Sequence, residues 1–270
     1  MQQARQDFPT GLSQPEQGYR FSVDALLLGC YPEPRREARA LELGTGCGVA
    51  ALTLLLGNPG LELRAVGIDA DSAMLGHARC NAQQLDLTER FTAVHLDVRN
   101  IRASSSIEPE SFDLVLANPP YRTAKQGRQS RVPAKNQARF EISAGIQEFV
   151  SAAAYALKNR SRFVLVHLAE KCFSVSEVLR RQRLEPKRFR FVHGRNDSPA
   201  RLVLIEALKN GRPGVLVDPP LILYRNDPQS NQLHPDALRF CPFLGRAGSG
   251  GEAEPNGQGS VDKGSLNGEL

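Results

Sequence analysis

Between residues 38 and 207 the apolar positions fall in short runs separated by glycine, proline or charge, and the runs alternate between strand-like and helix-like spacing. Residues 38–43 (Ala-Arg-Ala-Leu-Glu-Leu) predict a strand that breaks into Gly44-Thr45-Gly46-Cys47-Gly48, with a helix over about 49–56. A second strand over about 63–68 ends at Asp69, and Asp71 then stands where an N-cap belongs for a helix from Ser72 to about Leu85. A third strand, 91–96, ends at Asp97; the polar, serine-rich 98–111 reads as a loop with room for a short helix. Phe112-Asp113-Leu114-Val115-Leu116-Ala117 predicts a buried strand leading straight into Asn118-Pro119-Pro120-Tyr121. A helix over 142–157, a strand at 161–167 and a helix at 175–183 follow. The stretches 189–193 and 201–207, joined by Gly194-Arg195-Asn196-Asp197-Ser198, predict an antiparallel pair. Upstream, Ser22 or Asp24 begins a helix over the apolar Ala25-Leu26-Leu27-Leu28. The fold class is therefore α/β, with a mostly parallel sheet of seven strands and a late hairpin.

Length is sufficient for one full α/β core, since the chain has 270 residues of which 41% are hydrophobic. Residues 1–17 are polar and read as a weakly ordered start, 18–244 as the main domain, and the Gly-, Ser-, Asn- and Glu-rich 245–270 as a disordered tail. No apolar run approaches the roughly 20 residues that span a bilayer, and the N-terminus lacks a signal-peptide core, so a cytoplasmic location is expected. Cys30, Cys47, Cys80, Cys172 and Cys241 are scattered, without a C-x-x-C pair, and read as reduced thiols. His77, His95, His167, His193 and His234 show no metal-ligand spacing, so no metal is expected.

Charge changes the picture more by its placement than by its sum of +5. The most basic segment, 122–141, contains Arg122, Lys125, Arg128, Arg131, Lys135 and Arg139 against the single acid Glu141, and it follows the Pro-Pro turn directly. Such a segment suits the phosphates of RNA.

Two constellations carry candidate chemistry. Strand, glycine loop and helix over 38–56 is the order a nucleotide cofactor requires, because Gly44, Gly46 and Gly48 let a ligand approach the main chain without a Cβ in the way, with Thr45 between them. Glu42 beside that loop disfavours a pyrophosphate and can accept from the ammonium of a methionine moiety. Asp69, at the next strand end, can take both hydroxyls of a ribose. In the second constellation Pro119 and Pro120 fix two backbone φ angles and remove two N–H groups, so the turn offers carbonyl oxygens without competing donors. Asn118 adds an uncharged amide acceptor and Tyr121 an aromatic face. That pairing suits a planar substrate bearing an NH2 group. Asp218-Pro219-Pro220-Leu221 imitates this turn, but Leu221 has no stacking face, and the segment reads as an extended C-terminal stretch.

Glu42-x-Gly44-x-Gly46-x-Gly48 resembles motif I of S-adenosylmethionine-dependent methyltransferases, not the G-x-G-x-x-G of dinucleotide binders. Asn118-Pro119-Pro120-Tyr121 resembles motif IV of the amino-methyltransferases that act on adenine N6, cytosine N4 or glutamine side-chain nitrogen. From Gly18 to about Arg225 the chain resembles the bacterial tRNA1(Val) (adenine-N6)-methyltransferase family. Gly18-Tyr19-Arg20-Phe21-Ser22-Val23-Asp24-Ala25, Ala138-Arg139-Phe140-Glu141, the 186–190 segment and the 214–224 segment carry the rest of that likeness. Phe140 departs from it, standing where many members have histidine.

The resemblance implies a Rossmann-like class I methyltransferase fold and S-adenosyl-L-methionine as cofactor. It implies that Tyr19 and Phe21 help close the cofactor pocket, that Asp97 meets the cofactor's adenine amino group, and that Asn118, Pro119, Pro120 and Tyr121 are catalytic. The substrate it implies is the adenosine at position 37 of a valine tRNA. A protein-glutamine methyltransferase of the release-factor type shares both motifs but usually carries a sizeable helical N-terminal domain, whereas only 17 residues precede Gly18. Ribosomal RNA stays open as a substrate. A DNA adenine methyltransferase would need a target-recognition domain for which the chain has no spare length. A non-catalytic RNA-binding protein of this fold would not need Glu42, Gly44, Asp69, Asn118 and Tyr121 intact together.

Overall fold

In the computed structural model residues 2–15, 21–121, 145–227 and 230–247 are described. Their centre is a nine-stranded sheet of β1 (Arg39–Leu43), β2 (Arg64–Asp69), β3 (Phe91–His95), β4 (Phe112–Ala117), β5 (Leu157–Leu168), β6 (Leu184–His193), β7 (Ala200–Lys209), β8 (Leu216–Val217) and β9 (Leu221–Ile222). The order is β3-β2-β1-β4-β5-β7-β6-β8, with β9 also on β6. The first five strands of that order are mutually parallel, and β7 runs antiparallel to both β5 and β6. The seven expected strands are all present. The two extra ones are only two residues long and flank Asp218-Pro219-Pro220, too short to leave a period in the sequence.

Strand order places the site. From β1 the chain winds outward to β2 and β3, then returns to lay β4 against the other side of β1. In open α/β sheets ligands bind beyond the carboxyl ends of the two strands where the winding reverses, here β1 and β4. Register fixes what meets there: Leu43 pairs with Ala117, so Gly44 and Asn118 leave the sheet side by side.

Both faces of the sheet are covered, which is why its central strands read as continuous apolar runs. One core layer holds Ala40, Leu114, Leu116 and Val164 against α2 (Val23–Cys30), α3 (Val49–Gly57) and α4 (Ser72–Gln84). The other holds Leu41, Leu43, Val115 and Leu165 against α5 (Ile146–Ala156) and α6 (Cys172–Arg181). Helix α3 is buried from Val49 through Leu55, as a sequence apolar but for Thr53 requires. It lies so close to α2 that a Cβ on Gly29 would stand 2.5 Å from both the Ala50 carbonyl oxygen and Thr53 Cβ. Gly29→Ala is therefore expected to destabilise the protein by roughly 1–3 kcal/mol through overpacking. Urea unfolding of the variant would show it, and an unchanged midpoint would mean that the two helices separate freely.

At the start of the chain the described residues are tied to the core. Residues 2–7 form a short helix, α1 (Gln2–Asp7), and Phe8 behind it is fully buried, edge-on to Phe243 at 5.2 Å. Arg5 donates to the Leu85 and Asp86 carbonyl oxygens that end α4. Asn81, fully buried in α4, accepts from Ser13 N (2.6 Å) and donates to both the Ser13 and Cys47 carbonyl oxygens (2.9 Å each). One amide side chain thus joins the N-terminal segment to the glycine loop. A single aromatic anchor and two side-chain clamps leave no periodic signal in the polar sequence of residues 2–15.

Candidate active site

Glycine loop 44–48 turns on residues that no other side chain would replace without strain: Gly44, Gly46 and Gly48 have φ of +66°, +54° and +88°. Gly48 is the N-cap of α3 and has no side chain to cap with. Glu42 does that work from β1. Its Oε2 accepts from Ala51 N (2.9 Å), one of the otherwise unpaired amides in the first turn of α3, and from Thr45 Oγ1 (2.7 Å). The carboxylate is 4% exposed and ties the loop to the helix. The sequence reading missed this because the capping partner stands nine positions away across a turn.

Burial pushes the Glu42 carboxyl up to about 7, against the lowering effect of the Thr45 and Ala51 hydrogen bonds. The folded protein then keeps a proton that the unfolded chain, with an ordinary value of 4.5, has already lost. Glu42's contribution is full below pH 4.5, falls as the pH rises toward about 7, and is flat above that, a span of about 3 kcal/mol. Urea unfolding from pH 5 to 8 should show stability declining over this window, with Glu42→Gln flattening the decline. A decline of equal slope in Glu42→Gln would assign it to another group.

Asp69 ends β2, and each of its oxygens holds a neighbouring backbone: Oδ2 accepts from Gly46 N (2.8 Å) and Oδ1 from Asp71 N (2.9 Å). Desolvation raises its carboxyl above the ordinary range, partly offset by these bonds. Asp71 is the N-cap of α4, accepting from Ala73 N and Met74 N. Asp97, beyond β3, accepts from Arg99 N (2.8 Å) at the head of a 3-10 turn and pairs with the Arg99 guanidinium, which holds its carboxyl below the usual range. Phe21 is half-buried and packs on the α2–α3 core layer. Tyr19, Arg122, Lys125, Arg128, Arg131, Lys135 and Arg139 lie outside the described residues.

At the end of β4 Pro119 is buried, Pro120 exposed, and Asn118 and Tyr121 half-buried. The Tyr121 hydroxyl lies 3.0 Å from Asn118 Oδ1 and 2.6 Å from Asp24 Oδ2, while the ring stands edge-on to His167 at 5.3 Å. His167 is buried at the end of β5, and desolvation lowers its pKa, so it presents a neutral ring. Ser22, not Asp24, is the N-cap of α2. Asp24 and His167 are thus site-adjacent residues that spacing alone did not single out. The available signal was Asp24's place as the one carboxylate in an apolar helical run. The second Pro-Pro segment lies between β8 and β9, where Asp218 accepts from Arg188 Nε (3.0 Å) and from the Tyr31 hydroxyl (3.2 Å).

A glycine loop and a Pro-Pro turn emerging from adjacent strands can be set against known families, and residues 22–182 match the model of the methyltransferase small domain. The chain belongs to the methyltransferase small domain family. Within this family's fold the chain is 26% identical over 221 residues to a tRNA1(Val) (adenine(37)-N6)-methyltransferase of Pasteurella multocida, covering 81% of this chain and 86% of that protein. A release factor glutamine methyltransferase of Caulobacter vibrioides is 41% identical over 81 residues, covering 30% of this chain and 26% of the relative. A crystal structure described as a predicted O-methyltransferase from Agrobacterium tumefaciens superposes with a TM-score of 0.64 at 18% identity, covering 82% of this chain and 96% of that one. This last likeness shows the fold.

This methyltransferase small domain protein is an enzyme whose cofactor is S-adenosyl-L-methionine, and the residues present fit that molecule. A Cβ on Gly44 would come within 3.1 Å of the Phe149 ring, so a glycine lets the loop pack directly on α5. Asp69 makes the loop's surroundings acidic, which suits a ligand with a ribose and no phosphate. Among the described residues no group of His, Cys, Asp and Glu could hold a metal ion, and no helix is long and apolar enough to cross a membrane.

Proposed function

We propose that this enzyme methylates the exocyclic N6 of an adenosine in tRNA, and that its target is the adenosine at position 37 of tRNA1(Val). The observation that carries this reading is the side-by-side exit of Gly44 and Asn118 from paired strands, which sets a methyl donor's loop against an uncharged acceptor for an NH2 group. The Pasteurella multocida relative supports the choice of nucleobase and RNA.

When bound, S-adenosyl-L-methionine supplies a methyl group on a positively charged sulfur. Asp69 takes the ribose hydroxyls through the lone pairs left over from Gly46 and Asp71. Asp97 takes the cofactor's adenine amino group beside Arg99, and Phe21 and Tyr19 close the pocket. The lone pair of an adenine N6 is delocalised into the ring and makes a weak nucleophile. Asn118 Oδ1 and the Pro119 carbonyl oxygen each accept one N6 hydrogen, which raises electron density on the nitrogen and fixes its orientation toward the methyl group. Both acceptors are neutral, so no base need ionise before attack. Tyr121 offers the extruded base a replacement stack, and a single-stranded loop lowers the cost of that extrusion. Arg122, Lys125, Arg128, Arg131, Lys135 and Arg139 supply phosphate contacts.

The test is transfer of labelled methyl from S-adenosyl-L-methionine to total RNA from a strain lacking the gene, followed by nuclease digestion. N6-methyladenosine in the anticodon loop of valine tRNA is the expected result. The same nucleoside in ribosomal RNA would move the substrate, and label in a protein glutamine would replace the reading with the one that the Caulobacter vibrioides relative favours.

A further inference from the structure

Asp24 stands in the first turn of α2, 97 positions from Tyr121, yet its Oδ2 is nearer the phenol than Asn118 is, at 2.6 Å against 3.0 Å. A phenol has one proton to give. The carboxylate is the stronger acceptor and the closer one, so the proton goes to Asp24. Toward Asn118 the phenol oxygen then presents lone pairs, and the half of the amide that suits them is the NH2. A half-turn about Cβ–Cγ exchanges the NH2 and carbonyl ends of Asn118 without changing its shape.

The geometry points to Asp24 as a positioning residue for methyl transfer: by taking the Tyr121 proton it makes the phenol an acceptor for the Asn118 NH2, which frees the Asn118 carbonyl oxygen from Tyr121 and leaves it to the substrate amino group. Without Asp24 the phenol would donate to that same carbonyl oxygen and compete with the substrate's N–H. His167, packed edge-on against the Tyr121 ring, limits the swing of the phenol away from Asp24 and Asn118. The inference rests on the reading of Asn118 as the acceptor of an amino group, and it applies to an adenine or a glutamine amide alike.

The experiment is a double-mutant cycle with Asp24→Ala and Tyr121→Phe, read as kcat, KM for RNA and dissociation constant for S-adenosyl-L-methionine, with thermal melts to establish folding. In Asp24→Ala the carboxylate acceptor is gone and the phenol turns its proton to Asn118. The expected loss is roughly 100-fold in kcat, with cofactor affinity within about twofold of the parent. In the Tyr121→Phe background, where no phenol is left to redirect, Asp24→Ala should cost nothing further. Multiplicative losses in the double variant would overturn the proposal, and so would weakened cofactor binding with kcat preserved, which would make Asp24 a cofactor ligand. Should Asp24→Ala fail to fold, Asp24→Leu carries the same expectation and the same masking by Tyr121→Phe. Parent enzyme that methylates glutamine instead of adenine sinks the substrate reading alone, and a masked cycle on that amide still supports Asp24's role. Parent enzyme that transfers methyl to neither removes both.

Discussion

Asn118→Ala is expected to leave a folded protein that binds S-adenosyl-L-methionine with nearly unchanged affinity and has lost most of its turnover. Asn118 is half-buried at the end of β4, outside the packed layers, so its truncation opens no core cavity. What disappears is one of two acceptors for the target amino group. Removing one preorganised hydrogen-bonding group from a reacting centre costs about 10²–10³ in kcat, and the loss here belongs in kcat because the contact strengthens as charge develops on nitrogen. Single-turnover transfer to unmodified tRNA, set beside calorimetric titration of the cofactor, separates the two quantities. A fall in cofactor affinity as large as the fall in rate would show that Asn118 serves the cofactor and not the substrate.

Asp69→Ala should give the opposite pattern. Both Asp69 oxygens are occupied by backbone donors from the glycine loop and from the start of α4, so alanine leaves Gly46 N and Asp71 N without their acceptor and removes the proposed ribose contact. Charge-assisted bonds of this kind contribute about 1.5–3 kcal/mol each, and the expected loss of cofactor affinity is at least roughly 100-fold. At saturating S-adenosyl-L-methionine kcat should stay within a few fold of the parent. Equal affinity losses in Asn118→Ala and Asp69→Ala would sink the division of labour between the two sites.

Much of this was legible before any coordinates because the signals are local or periodic. Strand β4 runs from Phe112 to Ala117 without a break since both of its faces are covered, and Asp71 caps α4 from the position next to the helix. The glycine spacing announced a loop of positive φ. Illegible parts share a different origin. The tie from Glu42 to Thr45 and Ala51 is set by how β1 meets α3. The Asp24–Tyr121 contact depends on where α2 crosses the end of β4, and no period along the chain encodes a crossing. The clamp on α1 has the same character: Arg5 reaches the end of α4, 80 positions away, through two carbonyl oxygens that any sequence would supply.

The Asn81 bridge makes residue 13 mechanically continuous with the loop that carries Gly46 and Gly48. A tag, a cleavage or a bound partner that tugged on the first fifteen residues would be felt at the cofactor loop.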